Sequence, residues 1–295
     1  MECLRLGLFE AALAKLPYQT VGVYICENQP WEISLIHAWR SKGHGRLIAA
    51  PHSTLRYWDL RYFHDRRSYS PCKPSNMPLP DQYAVNGPVA KAIALAGGYP
   101  AEMIVEVEAL RFMHLACSRS LGRSGLSATN KNSNEGVKRI LICGDFLSST
   151  NATIFGWLRR IEGKLPRNAS FAFKPHPAFP YAVDPEFAKR IGLRVDERAL
   201  EKLLPEYDIV ITSAITSAAV DAYYIGKQVI QIPNGRGLNA NALRGLGGVR
   251  LAATPADLAN FLQENVDGYA VATTVPYFRL HASLRAWMDV LTCPR

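Results

Sequence analysis

The sequence predicts an α/β protein of two domains, each a parallel β-sheet covered by helices. Apolar segments with strand character alternate with amphipathic helical segments along both halves of the chain. A stretch rich in Ser, Gly and Asn at 118–136 separates the halves and has no periodicity, which is typical of a linker. The length of 295 residues suits two domains of about 100–200 residues each. Repeated β-α-β units require parallel strands, because each crossover returns the chain to the same sheet edge.

The first half, 1–117, is predicted to form one domain. Its strands are expected at 21–26, 46–52, 82–87 and 103–110. Helices are expected at 29–45, between Pro30 and Gly43, and at 88–98, ending at two glycines. A short amphipathic helix is expected before the first strand.

The second half repeats the pattern and is predicted to form a domain over 137–270. Its strands are expected at 137–146, 169–175, 193–195, 207–214, 228–234 and 249–254, and its helices at 152–165, 185–192, 199–204, 216–227 and 255–265. The segment 271–295 ends in a predicted helix from Tyr277, with an apolar stripe that includes Phe278, Trp287 and Met288. Because so wide a stripe needs a partner surface, this helix is expected to cross back to the first domain.

Composition restricts the classes of function. The net charge of +9 indicates an anionic partner, but Lys and Arg are dispersed and show no nucleic-acid-binding pattern. A nucleotide-bearing small molecule is therefore the better expectation, with an anionic membrane face as a further option. Six cysteines without a C-x-x-C pair indicate a reducing cytoplasm, and Cys26 and Cys143 are expected to be buried thiols. The sequence shows neither G-x-G-x-x-G nor a P-loop, and no cofactor is expected.

Polar residues cluster at three predicted strand ends of the second half, where open α/β sheets bind ligands. Gly144 opens the first loop, followed by hydroxyls at 148–150 that can either cap a helix or meet a phosphate. In the second loop, Lys174-Pro-His176-Pro177 holds a histidine between two rigid prolines. The third loop carries Ser213, Thr216 and Ser217 before a helix, more hydroxyls than capping requires.

Acidic and basic side chains follow predicted strand ends of the first half as well. Glu27 follows the first strand directly, Glu32 lies shortly after it, and His52 ends the second strand before a loop that contains Asp59. These are the candidates for a catalytic base, with Glu27 ranked first. A carboxylate that only stabilises a helix start would explain Glu27 equally well.

Several segments resemble GT-B glycosyltransferases that use CMP-activated sugars, among them bacterial sialyl- and Kdo-transferases. The resemblance rests on the His-Pro motif KPHP, the Ser/Thr motif at 212–217, and the segments CENQPWEISLIHAW, PHSTLRYWDLRYF and PNGRGLNANALRG. It implies two Rossmann-like domains that face each other across a cleft. It also implies that the N-terminal domain is incomplete, since only about 20 residues precede the first strand.

The resemblance further implies a function in surface-carbohydrate biosynthesis, as for lipopolysaccharide or capsule. A metal-independent inverting transfer from a CMP-sugar to a glycan or lipid-linked acceptor is expected, in the cytoplasm or peripherally at the inner membrane. His176 would contact the nucleotide, and Ser213, Thr216 and Ser217 its phosphate. Two alternatives remain open: a CDP-alcohol phosphotransferase of teichoic-acid type, and a noncatalytic protein that binds nucleotide or carbohydrate.

Overall fold

The computed structural model describes residues 2–63, 65–69, 77–116, 136–233, 238–264 and 276–292. The predicted linker, apart from Gly136, lies outside these ranges. The described chain divides into two compact units, unit 1 of Met1–Met113 with Val275–Arg295 and unit 2 of His114–Thr274. No described helix is both long enough and apolar enough to cross a bilayer.

The helices and strands follow each other as the alternation predicts. The described strands are β1 Val21–Ile25, β2 Arg46–Ala50, β3 Gln82–Val85, β4 Ile104–Glu106, β5 Lys138–Cys143, β6 Ala169–Lys174, β7 Arg194–Val195, β8 Ile209–Ser213, β9 Gln228–Ile232 and β10 Val249–Leu251. The described helices are α1 Glu2–Leu13, α2 Pro30–Ser41, α3 Pro88–Ala96, α4 Ser148–Arg160, α5 Pro185–Arg190, α6 Leu200–Leu203, α7 Ala218–Tyr224, α8 Pro255–Gln263 and α9 Arg285–Thr292.

Unit 1 is a parallel sheet whose strand order, β1-β2-β3-β4, equals the chain order. Because successive side chains of a strand point to opposite faces, each strand feeds two cores. Tyr24, Leu47 and Tyr83 pack under the helices α1 to α3. Ile48 and Ala84 point the other way and pack against α9.

The last described segment corrects the predicted helix, which begins at Arg285 rather than at Tyr277. The backbone of Arg279 instead bonds two residues beyond strand ends, donating to Asn86 O at 3.1 Å and accepting from Ala109 N at 2.9 Å. Phe278 is buried and stacks on Phe112. Met288, assigned to the apolar stripe, is 56% exposed.

A buried carboxylate fixes the start of α9 within unit 1. Glu108 accepts from the backbone amides of Ala286 and Trp287, both at 3.1 Å, and from Arg279 Nε at 3.3 Å. The Trp287 indole donates to the Glu108 carbonyl at 2.8 Å. Burial opposes ionisation of Glu108, but the two amides and the guanidinium hold its pKa below the ordinary value.

Unit 2 is a parallel sheet of order β10-β9-β8-β5-β6-β7. Its central strands β8 and β9 are buried at every residue, as expected for strands covered on both faces. The core includes Ile140, Phe173 and Ile211 of the sheet, and Leu158 and Leu258 of the helices. The prediction of an α/β fold with two parallel-sheet, Rossmann-like domains is confirmed.

Candidate functional site

Three of the sequence-selected loops lie side by side in unit 2. Strand β5 is the middle of the three neighbours β8, β5 and β6, and all of them run parallel. The loops that leave their carboxyl ends are therefore adjacent: the loop after β8 carries Ser217, the loop after β5 carries Gly144 and the loop after β6 carries His176. This edge is where a doubly wound sheet binds ligands.

Gly144 allows the first two loops to approach closely. Its amide donates to the Lys174 carbonyl at 2.8 Å, which extends the β5–β6 pairing by one residue. A Cβ at this position would lie 2.9 Å from the backbone nitrogen of His176, closer than a side chain tolerates. Any residue other than glycine would push the His176 loop away.

Asp145 was missed by sequence reasoning, and it joins the first and third loops. Its side chain accepts from Ser213 Oγ and, at 2.8 Å, from the amide of Leu147. The Asn151 side chain makes two hydrogen bonds to the backbone of Asp145. Its Oδ1 accepts from Asp145 N at 2.8 Å, and its Nδ2 donates to Asp145 O at 2.9 Å. The Gly-Asp dipeptide directly after an apolar strand was the available signal.

This geometry reduces the number of hydroxyls in the third loop that can donate to a phosphate. Ser213 is fully buried, and its single hydroxyl hydrogen is donated to Asp145. Thr216 and Ser217 are partly exposed. Among the hydrogen bonds of the described residues, none uses the amides of Ile215, Thr216 or Ser217 as donors. The donors available to an anion are therefore these amides and the two outer hydroxyls.

The second loop presents a histidine and a lysine. His176 Nδ1 accepts from the amide of Ala178 at 3.3 Å, while the hydrogen bonds among the described residues leave Nε2 unused. Lys174 Nζ lies 3.3 Å from the Glu197 carbonyl and 3.5 Å from that of Pro175. An ammonium has three hydrogens, so one remains for a ligand. Pro177 follows on the exposed side of the loop.

Nearby, burial raises the pKa of the Cys143 thiol to about 12. The thiol is therefore neutral and packs in the core as an apolar side chain. Cys26 is buried as well, so the prediction of two buried thiols is confirmed.

Three of the four catalytic candidates, Glu27, His52 and Asp59, lie in the segments that follow the carboxyl ends of β1 and β2 in unit 1. His52 Nδ1 lies 3.3 Å from Glu27 Oε1, and Arg61 Nη1 lies 3.4 Å from Glu27 Oε2. The same guanidinium donates two hydrogen bonds to the Asp59 carboxylate, from Nε to Oδ1 at 2.9 Å and from Nη2 to Oδ2 at 2.8 Å. Arg61 thus links the candidates Glu27 and Asp59. We name Glu27, His52, Asp59 and Arg61 the unit 1 cluster.

The remaining candidate, Glu32, has a structural position. It is buried, and its Oε1 accepts from the amides of Glu27 at 2.8 Å and Gln29 at 2.9 Å. The bond from the Gln29 amide is the Glu32 half of a capping box at the start of α2. Glu32 therefore fixes the backbone that presents Glu27, and does not itself reach the surface.

The charge state of Asp59 follows from its contacts. Burial opposes its ionisation, but the hydrogen bonds and the charge of Arg61 outweigh burial, so the pKa of Asp59 falls below the ordinary value. A carboxylate held in this way is a poor base, which argues against Asp59 as the group that accepts the proton. Within the described ranges, no group of three or more His, Cys, Asp or Glu side chains could hold a metal ion.

Comparison with known proteins identifies the fold. No protein-family model and no curated protein matches this chain. A solved Listeria monocytogenes structure, assigned as a UDP-N-acetylglucosamine 2-epimerase, matches at a TM-score of 0.58 and 15% identity, over 98% of this chain and 78% of its own. A Neisseria meningitidis UDP-GlcNAc 2-epimerase bound to UDP-GlcNAc matches at 0.54 and 14%, over 98% and 79%. An Anabaena protein in complex with UDP and glucose matches at 0.50 and 14%, over 91% and 74%.

These matches establish a GT-B-like fold and correct the predicted function. The similar structures named above are UDP-GlcNAc 2-epimerases and a protein in complex with UDP and glucose, and none of these three is a CMP-sugar transferase. The prediction of an inverting glycosyl transfer from a CMP-sugar is therefore wrong. These matches also give no support to a CDP-alcohol phosphotransferase or to a glycan or lipid-linked acceptor.

Proposed function

We propose that this chain binds a UDP-sugar and is an enzyme that converts it into an epimeric UDP-sugar. The proposal is supported by a fold that matches UDP-GlcNAc 2-epimerases along 98% of the chain. It is supported independently by the strand-end edge of unit 2, where amides, hydroxyls, a histidine and a lysine meet. Work on a nucleotide-sugar of surface-carbohydrate synthesis is part of the same proposal.

The diphosphate is assigned to the loop after β8. Thr216 and Ser217 supply hydroxyl donors, and the amides of residues 215–217 supply further donors without a partner among the described residues. Donors fixed by the fold bind anionic oxygens more strongly than neutral ones. Ser213 is assigned a positioning role, since its hydrogen is held by Asp145.

The loop after β6 is assigned to the nucleotide as well. With Nδ1 occupied by the Ala178 amide, a neutral His176 would carry its hydrogen on Nε2 and donate it to the ligand. Lys174 adds a positive charge, and Pro177 keeps the loop stiff. Gly144 keeps this loop close to the end of β5.

Epimerisation at C2 of the sugar is the reaction that suits these groups. A C2 hydrogen without a neighbouring carbonyl is barely acidic, so its removal requires a concerted loss of the leaving group at C1. The C2 proton passes to a base, the C1–O bond to UDP breaks, and a double bond forms between C1 and C2. Return of UDP to C1 with proton delivery to the opposite face of C2 gives the epimer. A site that stabilises free UDP lowers the barrier in both directions.

The unit 1 cluster is assigned the proton transfers. Glu27 is the proposed base, and His52, 3.3 Å from it, is the proposed acid for the return step. Arg61, braced by Asp59, fixes the second carboxylate oxygen of Glu27. Asp59 is therefore proposed to act through Arg61.

Two measurements test the proposal separately. Isothermal titration should show that UDP binds and that CMP binds more weakly; a preference for CMP would contradict the nucleotide assignment. Incubation of UDP-GlcNAc in D2O, followed by proton NMR, should show deuterium at C2 and the C2 epimer. UDP binding without exchange would leave a nucleotide-sugar-binding protein and would refute the enzymatic part.

A further inference from the structure

Trp58 occupies a backbone conformation that disfavours its side chain. It is the third residue of a turn in which the Asp59 amide donates to the Arg56 carbonyl at 3.2 Å, and its φ is +56°. Glycine or asparagine usually fills a turn position with positive φ. Within the described ranges, only three non-glycine residues have positive φ. One of them, Asn28, is of a type that tolerates it.

Burial does not explain why a tryptophan stands there. The side chain of Trp58 is 46% exposed, whereas the other four tryptophans are buried or half-buried. Its ring lies nearly perpendicular to that of Tyr57, at an interplanar angle of 86° and with ring centroids 5.5 Å apart. A large ring kept at the surface in a strained conformation indicates a contact with something outside the fold.

The surroundings of Trp58 indicate the chemistry of that contact. Its neighbour in sequence, Asp59, belongs to the unit 1 cluster, in which Glu27 and Asp59 offer acceptors and Arg61 offers donors. A sugar ring presents hydroxyls that both donate and accept, and C–H faces that are apolar. An ionised phosphate presents acceptors only, and would meet both carboxylates.

We infer that Trp58 is a stacking platform for a pyranose ring, with the hydroxyls of that ring bonded by the unit 1 cluster. This inference rests on the proposed function in that the ligand is taken to be a sugar nucleotide. It adds the surface that the sugar occupies. An aromatic ring beside a few fixed polar groups is the usual composition of such a subsite.

The direct test uses the full chain labelled with 5-fluorotryptophan and observed by fluorine NMR. The signal of Trp58 is the one that disappears in Trp58→Phe. N-acetylglucosamine should shift this signal in proportion to its concentration, while glycerol, a polyol without a ring face, should not. Equal shifts with both additives, or a shift caused by UDP alone, would overturn the inference.

Variants give a second readout. Trp58→Asn fits the backbone, so its thermal midpoint should equal or exceed that of the wild type, while N-acetylglucosamine binds roughly tenfold more weakly, the scale of one lost stacking contact. Trp58→Phe should retain most of the affinity. Met288→Asn, which removes an apolar side chain of similar exposure from the same unit, should change affinity by less than about twofold.

The two proposals can fail separately. If UDP does not bind to unit 2 but the sugar still shifts the Trp58 signal, the proposed function fails and the platform stands. If UDP binds and Trp58→Asn leaves the sugar affinity unchanged, the platform is refuted and the nucleotide site stands. If Trp58→Asn unfolds at a lower temperature than Trp58→Phe and the fluorine signal does not respond to the sugar, the ring supports the fold instead.

Discussion

Ser213 Oγ donates its hydrogen to Asp145 Oδ2, which ties the end of β8 to the end of β5. The two residues are 68 positions apart in sequence, and both are buried. The proposed diphosphate loop after β8 is therefore held to the end of β5 before any ligand arrives. Such pre-organisation lowers the entropic cost of binding.

We expect Asp145→Asn to lower the free energy of unfolding by about 1–3 kcal/mol, because the amide group has one oxygen to accept from both Ser213 and Leu147 and leaves its own NH2 buried. Urea unfolding followed by circular dichroism measures this. UDP affinity should fall in the same variant, since the loop after β8 loses its anchor. An unchanged urea midpoint would show that the bond contributes nothing.

We expect Thr216→Ala with Ser217→Ala to weaken UDP binding by about 1.5–3 kcal/mol for each hydroxyl that contacts the diphosphate. The matched control is Ser148→Ala with Ser149→Ala, which removes two hydroxyls from the neighbouring loop at the start of α4. Titration calorimetry compares the two. A larger loss in the control pair would place the phosphate on the loop after β5.

His176→Ala should weaken UDP binding by about 1–3 kcal/mol, as expected for one lost hydrogen bond to a charged ligand. His176→Gln can still present an N–H and should recover part of this loss. The same titration decides, with folding checked by circular dichroism. Equal affinity of the folded alanine variant and the wild type would remove His176 from the site.

Glu27→Gln should reduce deuterium incorporation into UDP-GlcNAc by about 10²–10⁴-fold, the usual contribution of a positioned base. UDP affinity should stay unchanged, because the proposed diphosphate site lies in unit 2. Glu102→Gln, at an exposed position of the same unit, is the control. Full exchange in Glu27→Gln would require another base.

The pKa of Glu108 predicts how stability depends on pH. Because this pKa is lowered in the folded state, ionised Glu108 stabilises the fold above its unfolded pKa, and the contribution disappears as pH falls through the folded value. The wild type should exceed Glu108→Gln in unfolding free energy at neutral pH, and the gap should shrink as the pH falls below the ordinary glutamate pKa of about 4.3. Urea unfolding over this range tests it, with exposed Glu201→Gln as the control. A constant gap would contradict the ionised assignment.

The local sequence pattern predicts where the strands lie, but it carries no information about which strands pair with each other in the sheet. Apolar runs such as Ile140–Ile142 identify a buried strand from sequence alone, but the order β10-β9-β8-β5-β6-β7 depends on contacts between distant segments. The segment from Tyr277 has helical apolar spacing, yet the backbone of Arg279 bonds Asn86 and Ala109, so tertiary pairing overrides propensity there.

The candidate site divides in the same way. Strand ends singled out Glu27 and His52, and the parallel pairing of β1 and β2 places them 3.3 Å apart. Asp145 escaped notice because its partner Ser213 lies far along the chain, and no periodicity joins them. The nucleotide was misassigned because hydroxyls and a histidine bind the phosphates of any nucleotide, while the base is read by pocket shape.

Unit 1 takes its strands from the start of the chain and α9 from the end. On the ribosome, every residue of unit 2 emerges before Ala286 and Trp287, whose amides donate to the Glu108 carboxylate. Unit 2 is one continuous segment and can complete its fold first. Until α9 has left the ribosome, the sheet face of Ile48 and Ala84 stays uncovered and the Glu108 carboxylate stays hydrated. Unit 1 can therefore complete its fold only after unit 2 has been synthesised, and a chain that stops before α9 would expose that face to chaperones or to other nascent chains.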